Sequence, residues 1–489
     1  MVENDMIVPV NNPFYESESW LSKTKWRILP ACILAIFCGW FISVNDFTIS
    51  LIFIALPFAA AFLTLTFLFP RIGFISFLIY TFLVPVLGRH ITGPQFGLGQ
   101  DTMLVLTWIG VIFHRSKKYR FRHLNNDLIW MSVVWFVITV FQIANPERPS
   151  LEGWFYEMRS ATLYWILSIP LVFFIFNKKS DLNLFLLIVI TISIAGALYG
   201  IKQLYLGTDT AEVRWLEAGA KRTHLLFGKL RVFSFYTEAG QFGASQAHIA
   251  IMCIILATGP YSVRFKIMLS IAGMLLFYGM LISGTRGALF AFIGGGFAFL
   301  ILSGKTKILI LGSLIACLFI GMLKYTSIGS SNAEIVRLRT SLDPNDPSLR
   351  VRLNNQAILQ DYLSSRPFGA GVGVLGMWGV KYNADKFIST IPPDSLYVKI
   401  WAMYGIVGFI IWFGIMLYTT GKCAGIVWET KDPVLRNKLS ALAGGAFGIL
   451  LCSYGNEVLN QMPSSIIVYI SWALIWISPR WDNPITKTS

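Results

Sequence analysis

The sequence predicts an all-α polytopic membrane protein, a helical bundle of about 12–14 transmembrane helices with a long, partly helical loop on one face. Three observations carry this. Hydrophobic residues make up 55% of the chain and charged residues only 13%, against about 25% charge in a soluble domain, and the mean hydropathy is +0.63. Apolar runs follow one another along most of the 489-residue chain. The short breaks between them collect Lys and Arg on one side of the alternation, the bias of cytoplasmic loops.

Residues 1–26 are polar and mixed in charge, and no small-residue cleavage site follows the first apolar run. The first span is therefore expected to act as the insertion signal rather than a cleavable peptide. Runs near the ~20 residues a bilayer requires lie at about 27–43, 48–69, 72–88, 101–114, 128–143, 163–177, 182–200, 241–258, 265–283, 287–303, 307–323, 395–419, 440–453 and 464–478. The run HRSKKYRFRH at 114–123, Lys178 and Lys179, Arg264 and Lys266, Lys305 and Lys307, and the lysines from Lys422 to Lys438 all fall on one side when these spans alternate. Both termini are then cytoplasmic. No compositional shift marks a linker, so the chain divides into N-terminal spans (1–200), a central region (201–420) that includes a long loop at 324–393, and the last spans with a cytoplasmic tail (421–489). The six cysteines lie in or beside apolar runs without CxxC or CxxH spacing. They read as small core residues rather than disulfides or metal ligands.

Two long loops, 201–240 and 324–393, fall on the non-cytoplasmic side, and both are rich in basic residues, among them Arg222, Arg231, Arg350 and Arg352. Long loops are exempt from the positive-inside bias and their acids neutralise part of this charge. Taken together, the basic residues point to a cleft facing a polyanion at the membrane surface. Arg286, in SGTRGA at 283–288, sits at the junction of two spans, where an unpaired guanidinium costs about 3 kcal/mol or more and so marks a functional site.

Arg231 opens RVFSFYTEAGQFGASQAH, in which Glu238, Gln241, Ser245 and His248 share one helical face. The stripe runs about 15 Å down the helix. Ser245 and His248 read as polar links between helices, whereas Glu238 and Gln241, near the mouth, read as site residues. In the second loop RPFGAGVGVLG at 366–376 lacks the strand–turn–helix setting of a phosphate loop. A glycine-rich re-entrant turn is expected there, with Gly371 letting the backbone approach a ligand. Asp394 precedes the next apolar run, which suits a helix N-cap and a catalytic carboxylate equally.

The order of these elements, the RVFSF segment entering a span, SGTRGA at a span boundary, and a long loop closing on PFGAGVG and then DSLYVKIWAMYGIVG with Gly405 and Gly408, resembles the O-antigen ligase and polymerase superfamily. The resemblance covers about residues 200–420. It implies a metal-independent, inverting membrane glycosyltransferase, without a cofactor, that moves a glycan from undecaprenyl diphosphate to a periplasmic acceptor in lipopolysaccharide or surface polysaccharide synthesis at the bacterial inner membrane. Arg286 then matches the family's pyrophosphate-binding arginine, and Arg231 the arginine that opens the earlier segment. Gln241, Arg222, Arg350, Arg352 and Gly371 are expected to bind substrate, and no metal ligands are expected. Asp394 stands where ligases of the family carry a histidine thought to activate the acceptor, and Ser395 where they carry asparagine, so Asp394 and Glu238 are both candidate bases. This departure leaves polymerase chemistry open beside ligation to lipid A-core. A lipid-linked glycan flippase, from a different class, would also need buried polar residues, but such transporters usually show internal repeats, and the two halves of this chain share none.

Overall fold

The computed structural model describes residues 15–482 except 45–46, 92, 115–120, 227, 305, 328–335, 337–338 and 340–346. The chain ends, the core of the basic run at 114–123, and Arg337, Asp343 and Asp346 of the long loop lie outside the described residues. The chain divides into two compact units at Leu68. In the first, α1 (Tyr15–Val44) and α2 (Phe47–Leu68) meet through Phe41 and Phe53, whose ring centroids are 4.4 Å apart.

The second unit holds α3 (Pro70–His90), α4 (Phe96–Phe113), α5 (Asp127–Phe141), α6 (Leu151–Met158), α7 (Tyr164–Ile175), α8 (Lys179–Tyr205), the short α9 (Thr210–Trp215) and α10 (Lys221–His224), α11 (Ala239–Ala257), α12 (Val263–Ile282), α13 (Arg286–Leu302) and α14 (Thr306–Tyr325). After the long loop's α15 (Pro347–Leu363) and α16 (Gly376–Tyr382) come α17 (Leu396–Glu429), α18 (Pro433–Cys452), α19 (Ser464–Ile477) and α20 (Pro479–Asp482). Two short strands, β1 (Leu225–Leu226) and β2 (Lys229–Leu230), pair antiparallel between α10 and α11. Among the described residues nine helices are long and apolar enough to cross a membrane, and four shorter apolar helices accompany them. The protein is an all-α polytopic membrane protein.

The centre of the unit is α11, whose side chains are nearly all buried. Beside it α13 and α18 approach backbone to backbone, because a Cβ on Gly295 would stand 2.9 Å from the Gly444 carbonyl and one on Gly444 3.0 Å from that of Gly295. This is the small-residue contact that lets membrane helices pack without a hydrophobic driving force.

Two elements differ from the sequence expectation for a physical reason. The span expected at 163–177 starts instead at Leu151 and passes through a π-turn at Arg159–Leu163. Glu157 and Arg159 made that stretch look polar, yet both are buried and paired, Arg159 with Asp101 at 2.7 Å. The span expected at 395–419 is the 34-residue α17, broken at Gly405, where φ is +70°. Breaking a membrane helix frees backbone groups that lipid cannot satisfy. Here the glycine-rich turn of the long loop satisfies them: the N–H groups of Ala370 and Gly371 donate to the carbonyls of Ala402 and Met403 at 2.9 and 3.0 Å, and the Val407 N–H donates to the Pro367 carbonyl at 3.3 Å. The turn thus docks on the backbone of α17. Gly369 and Gly405 make this fit possible, since a Cβ on Gly369 would stand 2.6 Å from the Met403 carbonyl oxygen and one on Gly405 would overlap Pro367.

The start of α17 is held by charge. Lys399 Nζ lies 3.0 Å from Glu157 Oε1 of α6 and 2.7 Å from Glu457 Oε2 in the α18–α19 connection, with Lys399 and Glu157 both buried. The Leu396 N–H adds a bond to the Ser453 carbonyl at 2.9 Å. At the other end of the bundle Asp127 accepts from Tyr418 Oη at 2.5 Å and Trp476 Nε1 at 3.2 Å, joining α5, α17 and α19.

Gly405→Ala is expected to lower the melting temperature of the detergent-purified protein strongly, since strain at a positive φ alone costs about 1–3 kcal/mol and the side chain also collides with the bracing turn. Gly414→Ala, where a Cβ meets nothing within 4 Å, serves as the control and is expected to leave it unchanged. Equal melting of the two variants would show that the brace does not matter. For the triad, Lys399→Met strands Glu157 and is expected to destabilise by about 3–5 kcal/mol. Adding Glu157→Gln should recover most of the loss, and a purely additive double mutant would refute the pairing.

Candidate functional site

A cavity of about 650 Å³ opens among the ends of several helices, within the ~300–1,000 Å³ typical of ligand pockets. Its wall draws on Thr81 to Pro85 of α3, Gln100 of α4, Glu157 of α6, Glu238 before α11, Asp394 and Lys399 at the start of α17, and Asn456 to Met462 between α18 and α19. In helix order these all belong to one end of the bundle, opposite the short basic loops. Among the described residues no group of three or more His, Cys, Asp and Glu side chains is placed to hold a metal ion.

Glu238 precedes α11, and its carboxylate accepts from Gln461 Nε2 at 3.3 Å. Desolvation by the surrounding wall pushes its pKa up from the ordinary carboxylate range, while Gln461 and Arg231 oppose the rise and Glu457 adds to it. Asp394 lines the same cavity from the other side. It does not cap α17: Ser395 does, its Oγ accepting from the Val398 N–H at 3.4 Å. Asp394 is instead held at φ +50°, a conformation that Asp tolerates better than most residues, and its carboxylate is left to the cavity. Partial burial raises its pKa, Arg352 counters this, and Glu457 reinforces it. Arg352 is the predicted loop arginine that reaches the cavity. Arg350, two residues earlier on α15, is exposed and lies outside the wall, as a helix requires, because residues two apart point about 200° apart.

Arg231 and Arg286 do not line the cavity but stand behind its rim. Arg231 Nη2 donates to Thr285 Oγ1 at 3.1 Å and Nη1 to the Thr223 carbonyl at 2.9 Å. Thr285 Oγ1 in turn donates to the Ala239 carbonyl at 2.9 Å, so the SGTRGA turn is tied to the residue after Glu238. Arg286 is the first residue of α13 and half-buried, and its neighbour Gly287 packs on Asn456 of the cavity wall. The two arginine segments and the cavity are therefore one continuous structure.

The loop that carries Arg231 and Glu238 is fixed from two sides. Arg89 of α3 donates through Nη1 to the Ser234 carbonyl at 2.8 Å and through Nη2 to that of Tyr236, with its guanidinium 4.8 Å from the Phe233 ring centroid. His224 Nδ1 donates to the Ala220 carbonyl at 3.0 Å, while Nε2 accepts from the Ala239 N–H at 3.1 Å. That pair of bonds needs the neutral ring, and burial pushes the His224 pKa down to about 4.

The remaining predicted residues go elsewhere. Gln241 is buried in the helix interface, donating to Ser464 Oγ at 3.0 Å. Gly371 sits in the brace of α17, and Arg222 is exposed on α10. Neither is part of the cavity wall. Among the described residues the cavity lining is not a basic cleft: it carries four carboxylates, from Glu157, Glu238, Asp394 and Glu457, against Arg352 and Lys399.

Sequence reasoning missed Glu157, Lys399 and Glu457. A signal existed for Lys399, a lone charge inside the apolar run LYVKIWAMYG, to which the cost of a membrane charge applies as it does to Arg286. No signal marked its partners.

No curated protein matches the chain. Residues 271–413 match the family model described as O-antigen ligase, a stretch that runs from α12 to the middle of α17 and contains Arg286, Arg352, Asp394 and Lys399. Over that stretch, which is less than a third of its length, the chain is similar to the O-antigen ligase family, and its many apolar helices fit a multi-pass membrane protein of that kind.

Proposed function

We propose that the protein is a metal-independent, inverting glycosyltransferase that moves a glycan from undecaprenyl diphosphate to a periplasmic acceptor in lipopolysaccharide or surface polysaccharide synthesis. The observation that carries the reading is the meeting of Glu238 and Asp394 in one cavity, with the Arg231–Thr285 link directly behind it. The cavity lies at the bundle end opposite the short basic loops, which the positive-inside bias assigns to the cytoplasm. That supports a site at the outer face of the inner membrane, where a lipid carrier would present its head group.

In the transfer an acceptor hydroxyl oxygen forms a bond to the anomeric carbon as the bond from that carbon to the diphosphate oxygen breaks. The hydroxyl proton passes to a carboxylate, and the departing diphosphate gains charge. A single displacement of this kind inverts the anomeric configuration. Arg231 and Arg286 suit the leaving group because a guanidinium stays charged when half-buried and binds phosphate oxygens in pairs. Charge that grows during bond breaking is stabilised more in the transition state than in the ground state, which lowers the barrier. Glu238 and Asp394 suit the base role because burial brings a carboxyl pKa toward working pH, and both are shifted in that direction.

Arg286→Ala and Arg231→Ala are each expected to lower transfer by about 10²–10³-fold with membrane insertion intact, read as surface polysaccharide on a gel after complementation of a deletion strain. Wild-type polysaccharide from either variant would end the diphosphate assignment. In the deletion strain itself, carrier-linked polymer without long-chain lipopolysaccharide indicates a ligase, and a single-repeat ladder indicates a polymerase. Asp394→Asn is expected to lose activity and Asp394→His to regain part of it if this residue takes the proton. Full activity in Asp394→Asn would transfer that role to Glu238.

A further inference from the structure

Beyond the carboxylates, the cavity has an aromatic wall. Trp378 lines it from α16, and its ring stacks on Tyr156 of α6 at 4.5 Å between centroids and 16° between planes. Tyr382, one turn further along α16, lies 5.5 Å from Tyr156 and 7° from parallel. Three nearly parallel rings therefore hold the indole in a fixed plane at the cavity surface, with Lys381 Nζ 5.9 Å from its centroid. The face of an aromatic ring is electronegative and apolar, and it complements the electropositive C–H face of a pyranose.

The rest of the wall is built for hydroxyl groups. Asn460 and Gln461 both line the cavity, and among the described residues Asn460 Nδ2 and Gln461 Oε1 are buried atoms without a hydrogen-bond partner. Unpaired buried polar atoms on two consecutive residues are costly unless something bonds to them, and a sugar hydroxyl can both donate and accept. The charge is equally selective. Lys399 is neutralised by Glu157 and Glu457, and Arg352 has Asp394 as its neighbour. A carboxylate or phosphate brought by a ligand would meet Glu238 and Asp394 in a partly desolvated space, where like charges repel far more than in water.

We infer that Trp378, Asn460 and Gln461 form a subsite for a neutral or amine-bearing sugar of the acceptor glycan, and that the acidic wall excludes uronate and phosphorylated sugars there. This rests on the proposed transferase reading for its place in the reaction. It also separates the substrate's charges, with the diphosphate by Arg231 and Arg286 and the uncharged sugar in the acidic cavity.

The test is sugar binding by the purified full-length protein in lipid nanodiscs, measured by saturation-transfer NMR and calorimetry with maltotriose, a glucosamine trisaccharide and trigalacturonate. Maltotriose and the glucosamine trisaccharide are expected to bind, and trigalacturonate is not. Trp378→Leu keeps apolar bulk and should weaken maltotriose by about tenfold, the size of a stacking contact, while Trp378→Tyr should retain it. The Glu238→Gln, Asp394→Asn double variant should gain trigalacturonate binding. The inference is overturned if trigalacturonate binds the unaltered protein as tightly as maltotriose, if Trp378→Leu binds like the parent, or if none of the three sugars binds. Polysaccharide transfer in cells is a separate readout: activity surviving in Arg286→Ala would remove the transferase reading and leave the sugar result standing, whereas Arg286-dependent transfer without sugar selectivity would remove the subsite alone.

Discussion

Lys399 is the charge around which this end of the bundle is arranged. Two carboxylates from different elements converge on it, Glu157 of α6 at 3.0 Å and Glu457 of the α18–α19 connection at 2.7 Å. Taking three ions out of water is expensive, and their mutual attraction repays it only when the geometry is good. Such a group contributes little to net stability but strongly disfavours any arrangement in which one member loses the others. It therefore fixes where α6, α17 and the last connection meet, and these are the elements that carry the cavity floor.

A second constraint acts on the backbone. The start of α17 must turn at Gly405 for Asp394 and Lys399 to face the cavity while the rest of the helix continues across the membrane. The turn leaves Ala402, Met403 and Val407 without helical partners, and the loop segment 367–371 supplies them. The same loop is anchored at its far side by Arg366 on Glu147 at 2.7 Å and by the Ser150 N–H on Asn383 Oδ1 at 2.8 Å. The long loop is thus structural along its glycine-rich stretch and contributes to the site through Arg352 on one side of that stretch and Trp378 and Asp394 on the other.

Much of the architecture was legible because lipid enforces a simple rule: a span is a run of apolar residues of a given length, so the helices fall close to the apolar runs. The rule failed where polar residues are paired inside the protein. Glu157 and Arg159 hid the first turns of the α6–α7 span, since a linear sequence shows their charge and not their partners. Glu238, Asp394 and Arg352, singled out by position at helix mouths and in a basic loop, line one cavity. Gly371 bonds to the Met403 carbonyl in the turn that braces α17, a contact invisible in the sequence because a glycine that admits a ligand and one that admits another backbone look identical there. Gln241 and Glu238 share a helical face, yet three residues of depth separate a cavity wall from a packed interface. Trp378 could not be read at all, because stacking with Tyr156 joins segments distant in sequence.

Arg231 and Arg286 stand outside the cavity wall yet are tied to it through the turn that precedes α13. The Thr285 hydroxyl accepts from Arg231 on one side and donates to the Ala239 carbonyl on the other. Thr285 conveys position without conveying charge. Arginine electrostatics still reach Glu238, on which Arg231 acts as a cation opposing the rise in pKa. A diphosphate bound at the arginines would cancel part of that positive field. The carboxylate would then hold a proton more readily once the donor is in place, which is when a displacement reaction needs it to accept one.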